Sequence, residues 1–580
     1  MNTRRAGIVV LVLISVLACL WLASVLFVSL ALRTPTNAGP WTIVHYTFLY
    51  ERAPKIRQLV SLSWLLSGLT IGTLWVLALK PRKMSPYGDA RWATEADVRK
   101  SGLRASHGIL LGRFNNEFLM AEGSEHVLCF APTRSGKGVG IVIPNLLNWP
   151  GSAIVHDIKG ENFEKTSGFR TQHGQKVYFW NPGDPEGRTH CYNPLEFISK
   201  KPGQRIDDIQ RIAHLIMPEQ EFWTQEARTL FIGLALHLIT ESSALSFGRL
   251  LRTVRGQGNF VETLQLLLQA KRQTMNQVAY MALNSFVQKA DKEQSAVLST
   301  LNAALELWAN PLIDAATARS DFDLRRLRKE PTTIYVGVTP GNLQRLRPLM
   351  QIFYQQAIDI MTEKQPDPEQ EPHPVLFLMD EFPSLGRMRQ FEQGIAYLAG
   401  YGVRLLLIVQ DIPQLEAHYL HSGMNVFMGN SRIRVTFAAN NYETAELISK
   451  LVGNCGLDVD TRAESRQMGL SLDPGYKSRS VSAIPRPLLL PQEIMQLAPE
   501  EEIVMVEAAP PVRARKIRYF KESVFKNRLY PATPVPKVNP LSAEVPLLVD
   551  VEKPTQEEEE EALAAEEEVD VQEEKISASH

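Results

Sequence analysis

Two stretches of the chain, 7–32 and 59–79, are uncharged and predominantly apolar. Each is long enough to cross a hydrocarbon core of about 30 Å as a helix, so the pattern predicts an N-terminal two-helix transmembrane hairpin over 1–83. The first run could instead be a cleaved signal peptide, but it exceeds an ordinary h-region and no small-residue cleavage pattern follows it. From residue 84 the pattern changes. Short apolar runs at 126–130, 152–156, 333–338, 375–379, 403–409 and 433–437 alternate with stretches of helical spacing, which predicts an α/β domain around a parallel sheet. Between Asn193-Pro194 and Pro331 strand signals are few, and Phe222-Trp223, Ala227, Leu230-Phe231, Leu234 and Leu238 recur at helical spacing. An all-α domain, 195–330, is therefore expected as an insertion between two parts of the sheet domain, 84–194 and 331–530. Pro531, Pro534, Pro536 and Pro540 then mark a linker into a C-terminal tail.

Composition adds size and charge. The 580 residues, 44% hydrophobic and 22% charged, suffice for a large core and more than one domain. The net charge of -1 hides an asymmetry, because residues 541–580 hold fourteen acidic side chains against two lysines. The preceding body is correspondingly basic, as expected of a chain that handles a polyanion, although a basic membrane-facing rim or plain solubility gives the same balance. The tail, with Glu557 to Glu561 and Glu566 to Glu568, has little to bury and is expected to be disordered or a solvated helix. It can serve solubility, dock a basic partner, or mask the basic body. Cys19, Cys129, Cys191 and Cys455 are scattered, which indicates neither a zinc site nor a disulfide framework.

The candidate chemistry lies at the ends of the apolar runs. Val127 to Phe130 leads into Ala131-Pro132-Thr133-Arg134-Ser135-Gly136-Lys137-Gly138, and a helix is expected from Val139 to Leu147. In such a loop the backbone N–H groups converge on phosphates, Lys137 adds a mobile ammonium, and the helix presents its positive end. Ala131 stands where the G-x-x-x-x-G-K-[ST] pattern has glycine, and Gly138 stands where it has a hydroxyl for Mg²⁺. The run 375–379 ends in Asp380-Glu381, where Asp380 can hold magnesium through its water shell and Glu381 can activate the attacking water. An acidic N-cap for the next helix is the simpler alternative for this pair taken alone. The strand 403–409 ends in Gln410, placed to contact both the γ-phosphate and the attacking water. Lysine loop, acidic pair and Gln-tipped strand follow one another as in RecA-like P-loop ATPases, which predicts ATP and Mg²⁺ as cofactors. An arginine supplied by a neighbouring subunit often completes such sites, and Arg432, Arg434 and Arg404 are the candidates.

Several motifs then carry a family resemblance. Tyr87-Gly88-Asp89-Ala90-Arg91-Trp92-Ala93-Thr94, the loop 131–138, Asp157-Ile158-Lys159-Gly160-Glu161 and Phe179-Trp180-Asn181-Pro182 resemble the TraG-like (VirD-type) coupling proteins of type IV secretion systems. So do Asp380-Glu381-Phe382, Tyr401-Gly402-Val403-Arg404, Gln410-Asp411 and Arg486-Pro487-Leu488, over about 1–530. In that family Gly138 is an ordinary variant, while an arginine often precedes Gly-Tyr-Gly where this chain has Ala399-Gly400. The resemblance implies a homo-hexameric ATPase of the bacterial inner membrane that receives relaxase-bound single-stranded DNA or effector proteins. It passes them to the inner-membrane proteins of the secretion channel, with the helical domain as recruitment surface. Asp157, Lys159 and Glu161 could face the nucleotide or a central pore, or form a structural Asp–Lys pair. The positive-inside count is nearly balanced, with Arg4 and Arg5 before the first span, Arg52, Lys55 and Arg57 between, and Lys80, Arg82 and Lys83 after. The ATP site instead places the C-terminal body in the cytosol, with Trp41, Tyr46 and Tyr50 in a short outer loop. A translocating motor, a nucleotide-switched membrane receptor or scaffold, and an FtsK-like DNA pump are the functions this pattern admits.

Overall fold

The computed structural model describes residues 3–31, 38–49, 53–78, 88–241, 245–256, 258–464 and 477–540. The chain divides into two compact units, Met1–Pro86 and Tyr87–His580. In the first, helices Thr3–Ala31 and Pro54–Ala78 pack against each other around Ala23, Phe27, Val28 and Val60. Trp75 Nε1 donates to Ser15 Oγ at 3.0 Å between the two helices, and the exposed Thr70 and Thr73 donate back to carbonyls one turn earlier. The spans Leu13–Ala31 and Pro54–Val76 have mean hydropathies of 2.5 and 1.6. Most of that apolar surface stays exposed, with Leu13 at 58% and Val76 at 70%, as a lipid-facing hairpin requires and a soluble core helix does not. The expected outer loop contains a short helix of its own, Thr42–Leu49, where Tyr46 packs on Phe27 with ring centroids 5.0 Å apart. Tyr50 lies outside the described residues.

The second unit is built on one sheet. Its first strands are β1 Ile109–Phe114, β2 Glu117–Ala121, β3 Val127–Phe130, β4 Ser152–Asp157 and β5 Lys176–Trp180. β6 Thr332–Gly337, β7 Val375–Met379, β8 Val403–Val409 and β9 Ile433–Thr436 follow the helical insertion. β10 Asn454–Glu464 pairs with β11 Lys477–Pro487 as a separate antiparallel hairpin, with a single bridge from Cys455 to Asp89, and β12 Glu501–Val506 and β13 Val512–Arg515 close the sheet. Among the described residues eleven strands join in the order β2-β1-β13-β12-β9-β3-β8-β7-β4-β6-β5. From β9 to β5 every pairing is parallel; from β9 to β2 every pairing is antiparallel. The fully buried runs β7 and β8 have apolar side chains on both faces, as expected of central parallel strands covered by helices. The six strands read from the sequence occur within a residue of their expected positions. β5 and the antiparallel wing β1, β2, β12 and β13 extend the expected parallel sheet into a mixed one.

All described elements between β5 and β6 are helical. The longest, Phe222–Glu241, buries Leu230, Phe231 and Leu234, and the apolar core there continues without a break to Phe130, Ile154 and Val336 of the sheet. Residues 516–540 form a strap. Phe525 packs among Leu110, Ile143 and Leu147, Thr533 N–H donates to Ser167 Oγ at 3.0 Å, and Val538 N–H donates to the Gly187 carbonyl at 2.8 Å. The proline-rich stretch from Pro531 therefore lies against the body as far as residue 540. The acidic segment 541–580 lies outside the described residues.

Candidate nucleotide-binding site

Parallel strands β3, β4, β7 and β8 end on the same edge of the sheet, so the segments that follow them converge. After β3 the chain keeps strand-like contact for one more residue: Ala131 N–H donates to the Val409 carbonyl at 2.9 Å and the residue is fully buried. Ala131 has no left-handed backbone, which is why a methyl group is accepted where the usual pattern has glycine. The turn comes later. Arg134 and Gly136 have φ of 60° and 90°; glycine adopts this conformation without strain, while Arg134 is held there against its steric preference. A Cβ at Gly138 would meet nothing within 4 Å, so packing does not exclude a side chain there.

The expected helix Val139 to Leu147 is present within a residue of its expected ends but is differently wound. A π-helical turn, Gly138–Val142, leads into Ile143–Leu146, and Trp149-Pro150 lies just beyond the end. Asn145 fixes this segment: its amide nitrogen donates to the carbonyls of Leu110 and Ile141, both at 2.8 Å, and its oxygen accepts from Leu110 N–H at 2.8 Å. The sequence reading missed this buried asparagine, whose only local signal is a polar residue in an apolar helical run.

Lys137 reaches across from β3 to the ends of β7 and β8. Its Nζ lies 2.8 Å from Glu381 Oε1 and 2.9 Å from Asp380 Oδ1, and Gln410 Nε2 donates to the same Glu381 oxygen at 3.1 Å. Lysine, acidic pair and glutamine thus form one cluster. Burial works against the ammonium, but the two carboxylates outweigh it and hold the Lys137 pKa above its ordinary value. Burial is the largest single influence on Glu381 and opposes its ionisation, but the bond and charge of Lys137, the bond from Gln410 and the charge of Lys159 together outweigh it, so its pKa lies below the ordinary carboxylate value. Asp380 Oδ1 is buried and ion-paired to Lys137 at 2.9 Å. Glu381 also has a left-handed backbone, φ 61°, in a residue type that rarely adopts it.

Beneath this cluster lies a support the sequence reading did not foresee. His156 on β4 is fully buried, with Nε2 3.2 Å from Ser384 Oγ and Nδ1 3.3 Å from the Tyr354 hydroxyl. Burial lowers its pKa to about 4, so the imidazole is neutral at physiological pH. Ser384 N–H in turn donates to the Glu381 carbonyl at 2.9 Å. Asp157 forms no ion pair with Lys159. Its carboxylate accepts from Phe163 N–H at 2.8 Å at the start of helix Glu161–Gln172, and burial raises its pKa to about 7. Lys159 favours the ionised form of Glu381 by its charge.

The three candidate arginines do not join the cluster within this chain. Arg404 is buried on β8, donates to the carbonyls of Ala121 and Glu125, and lies over Trp149; burial lowers its pKa to about 10. Those bonds commit it to the interior. Arg434 donates to the Met428 carbonyl, and burial lowers its pKa. Arg432 is half-exposed and pairs with Glu125 at 2.6 Å, at the start of β9 and therefore at the sheet edge opposite the loop.

Residues 91–541 match the protein family described as type IV secretory system conjugative DNA transfer. This chain belongs to that family. Among family members, Protein VirD4 of Agrobacterium fabrum is 32% identical over 465 residues, covering 78% of this chain and 68% of the relative. Conjugal transfer protein TraG of Escherichia coli is 29% identical over 565 residues, covering 86% and 88%. A solved structure of plasmid coupling protein TrwB in complex with the non-hydrolysable ATP analogue ADPNP aligns with a TM-score of 0.54 at 16% identity, over 80% of this chain and 98% of TrwB. At that identity the likeness is one of fold.

Proposed function

We propose that this conjugative-transfer family member is an ATP-hydrolysing coupling protein of a type IV secretion system. It binds ATP at residues 131–138 and spends hydrolysis on passing substrates to the secretion channel. The observation that carries this reading is the meeting of Lys137, Glu381 and Gln410 on one carboxylate oxygen at 2.8 and 3.1 Å. The loop N–H groups of Ser135 to Gly138 cradle the phosphates and Lys137 neutralises them. Glu381 takes the proton of the attacking water, and Gln410 orients that water and registers loss of the γ-phosphate. The Asp380 carboxylate, beside Glu381 and within 2.9 Å of Lys137, would hold a magnesium ion through its water shell, and that ion would supply charge neutralisation at the phosphates.

The remaining assignments rest on the same reading. Residues 1–83 anchor the chain in the bacterial inner membrane with the bulk of it cytoplasmic. Residues 84–194 and 331–530 are the RecA-like motor, 195–330 the all-α recruitment domain, and 531–580 the proline-rich segment and acidic tail. Six copies form the working ring. Its partners are inner-membrane channel proteins and relaxase-bound single-stranded DNA or effector proteins. A nucleotide-switched scaffold is the competing reading, and an intact Glu381 argues against it, since a switch needs no base. Cells carrying Glu381→Gln in place of the wild-type chain decide between them. The motor reading expects loss of export with the protein still in the membrane; normal export would leave the scaffold.

A further inference from the structure

β13 runs out into Lys516 and Ile517, which press against the turn following the phosphate-binding loop. A Cβ added at Gly140 would stand 3.3 Å from the Ile517 carbonyl oxygen and 3.8 Å from Lys516 Cβ. From there Lys516 Nζ reaches the loop itself, donating to the Ser135 carbonyl at 3.1 Å and lying 3.9 Å from the centroid of the Phe437 ring. Among the described residues no carboxylate pairs with this ammonium. Glu500 is taken by Arg518 at 2.7 Å. Glu502 is fully buried, neither of its oxygens has a hydrogen-bond partner, and burial raises its pKa to about 8, so at neutral pH it is mostly the uncharged acid. Burial also lowers the pKa of Lys516, the expected cost of holding a cation away from water.

A cation that no carboxylate reaches as an ion pair, at the wall of a phosphate-binding loop, calls for an anion, and the sheet order says which part of one. Glu381 and Gln410 follow β7 and β8, on one side of β3, whereas Lys516 follows β13, beyond β9 and β12 on the other. A nucleotide whose terminal phosphate meets Glu381 and Gln410 lays its inner phosphates along the loop toward Lys516. We propose that Lys516 is a second phosphate-binding cation of the site, contacting the α- and β-phosphates of the nucleotide held by residues 131–138. The proposal rests on the ATP-binding reading above. It makes Lys516 indifferent to the γ-phosphate, unlike Lys137, Glu381 and Gln410.

The test is calorimetric titration of the full chain in detergent with Mg·ADP and with a non-hydrolysable Mg·ATP analogue. Lys516→Met is expected to weaken both ligands by the same factor, about ten- to hundredfold. Lys516→Arg keeps the charge and is expected to stay within a few fold of wild type. Lys516→Gln keeps a donor for the Ser135 carbonyl without the charge and is expected to bind as poorly as Lys516→Met. Restored binding in Lys516→Gln would overturn the proposal, because the residue would then act only by shaping the loop. Should Lys516→Met fail to fold, the Arg and Gln variants decide alone. A wild-type chain that binds neither ligand would remove the ATP-binding reading itself, whereas wild-type affinity in Lys516→Met and Lys516→Gln would remove only this inference.

Discussion

Replacing Glu381 by glutamine separates two effects of one carboxylate. Glu381 Oε1 accepts from Lys137 at 2.8 Å, so an arriving γ-phosphate must compete with it for the same ammonium. A hydrogen bond to a charged group of this kind contributes about 1.5–3 kcal/mol. The side chains here are 15% and 29% exposed, and screening brings the contribution to about 1–2 kcal/mol. The glutamine amide keeps the shape and an acceptor for Gln410 but loses the charge. Glu381→Gln is therefore expected to bind a non-hydrolysable Mg·ATP analogue about 5–30-fold more tightly than wild type. Loss of the base is expected to slow hydrolysis by about 10²–10⁴-fold. Lys137→Ala moves the other way, weakening nucleotide binding and abolishing hydrolysis together, because it removes the phosphate contact itself. Equilibrium titration with the analogue and single-turnover hydrolysis with enzyme in excess measure the two effects on the same preparations. Normal single-turnover hydrolysis in Glu381→Gln would refute its role as base, and unchanged affinity would refute the competition for Lys137.

Three further outcomes are expected. Single-stranded DNA should bind the chain with little sequence preference and an affinity that falls steeply with salt, and deleting 541–580 should tighten it; a flat salt titration, or no effect of the deletion, would dismiss the masking role of the acidic tail. Exchanging residues 200–328 for those of a family member with different cargo should redirect export while ATP turnover stays within a few fold; a chimera that folds, hydrolyses ATP and still exports the original cargo would move recognition elsewhere. Glu502 holds a proton in the folded state up to pH about 8 that the unfolded chain releases near 4.5. Between those values the folded state binds one more proton, so this group makes stability fall as pH rises, by up to about 1.4 kcal/mol per pH unit. Glu502→Gln should flatten that part of the pH dependence of denaturant unfolding, and an unchanged slope would show that the acid is already ionised in the fold.

The elements legible from sequence were those whose signal is local. An uncharged run of about twenty residues has few alternatives to a membrane helix. A buried parallel strand must be apolar on both faces, so Val375–Met379 and Val403–Val409 stand out as unbroken runs, and the residue after each faces the site because parallel strands share a C-terminal edge. That is why Lys137, Asp380, Glu381 and Gln410 were found as candidates from three separate segments. The strands that escaped notice carry charge within them. β13 reads Val-Arg-Ala-Arg, with its arginines exposed and its apolar residues buried, and four residues of that alternation are too few to register.

Pairing across the fold lay beyond the sequence. Arg404 reads as a free arginine on a strand, and only its stacking over Trp149 and its bonds to the Ala121 and Glu125 carbonyls turn it inward. His156 reads as one more residue of an apolar run until Tyr354 and Ser384, both about two hundred residues away in the chain, close around it. Lys516 lies nearly four hundred residues from Ser135, and their contact exists because an antiparallel wing of strands brings the C-terminal segment alongside the loop. The sequence by itself determined the two apolar spans, the six unbroken apolar strands and the helical stretch between β5 and β6, since these depend on residues a few positions apart. The tertiary structure alone decided which charges are paired, which are buried and which are left facing the nucleotide site, since burial and counter-charge depend on neighbours that only the order of strands supplies.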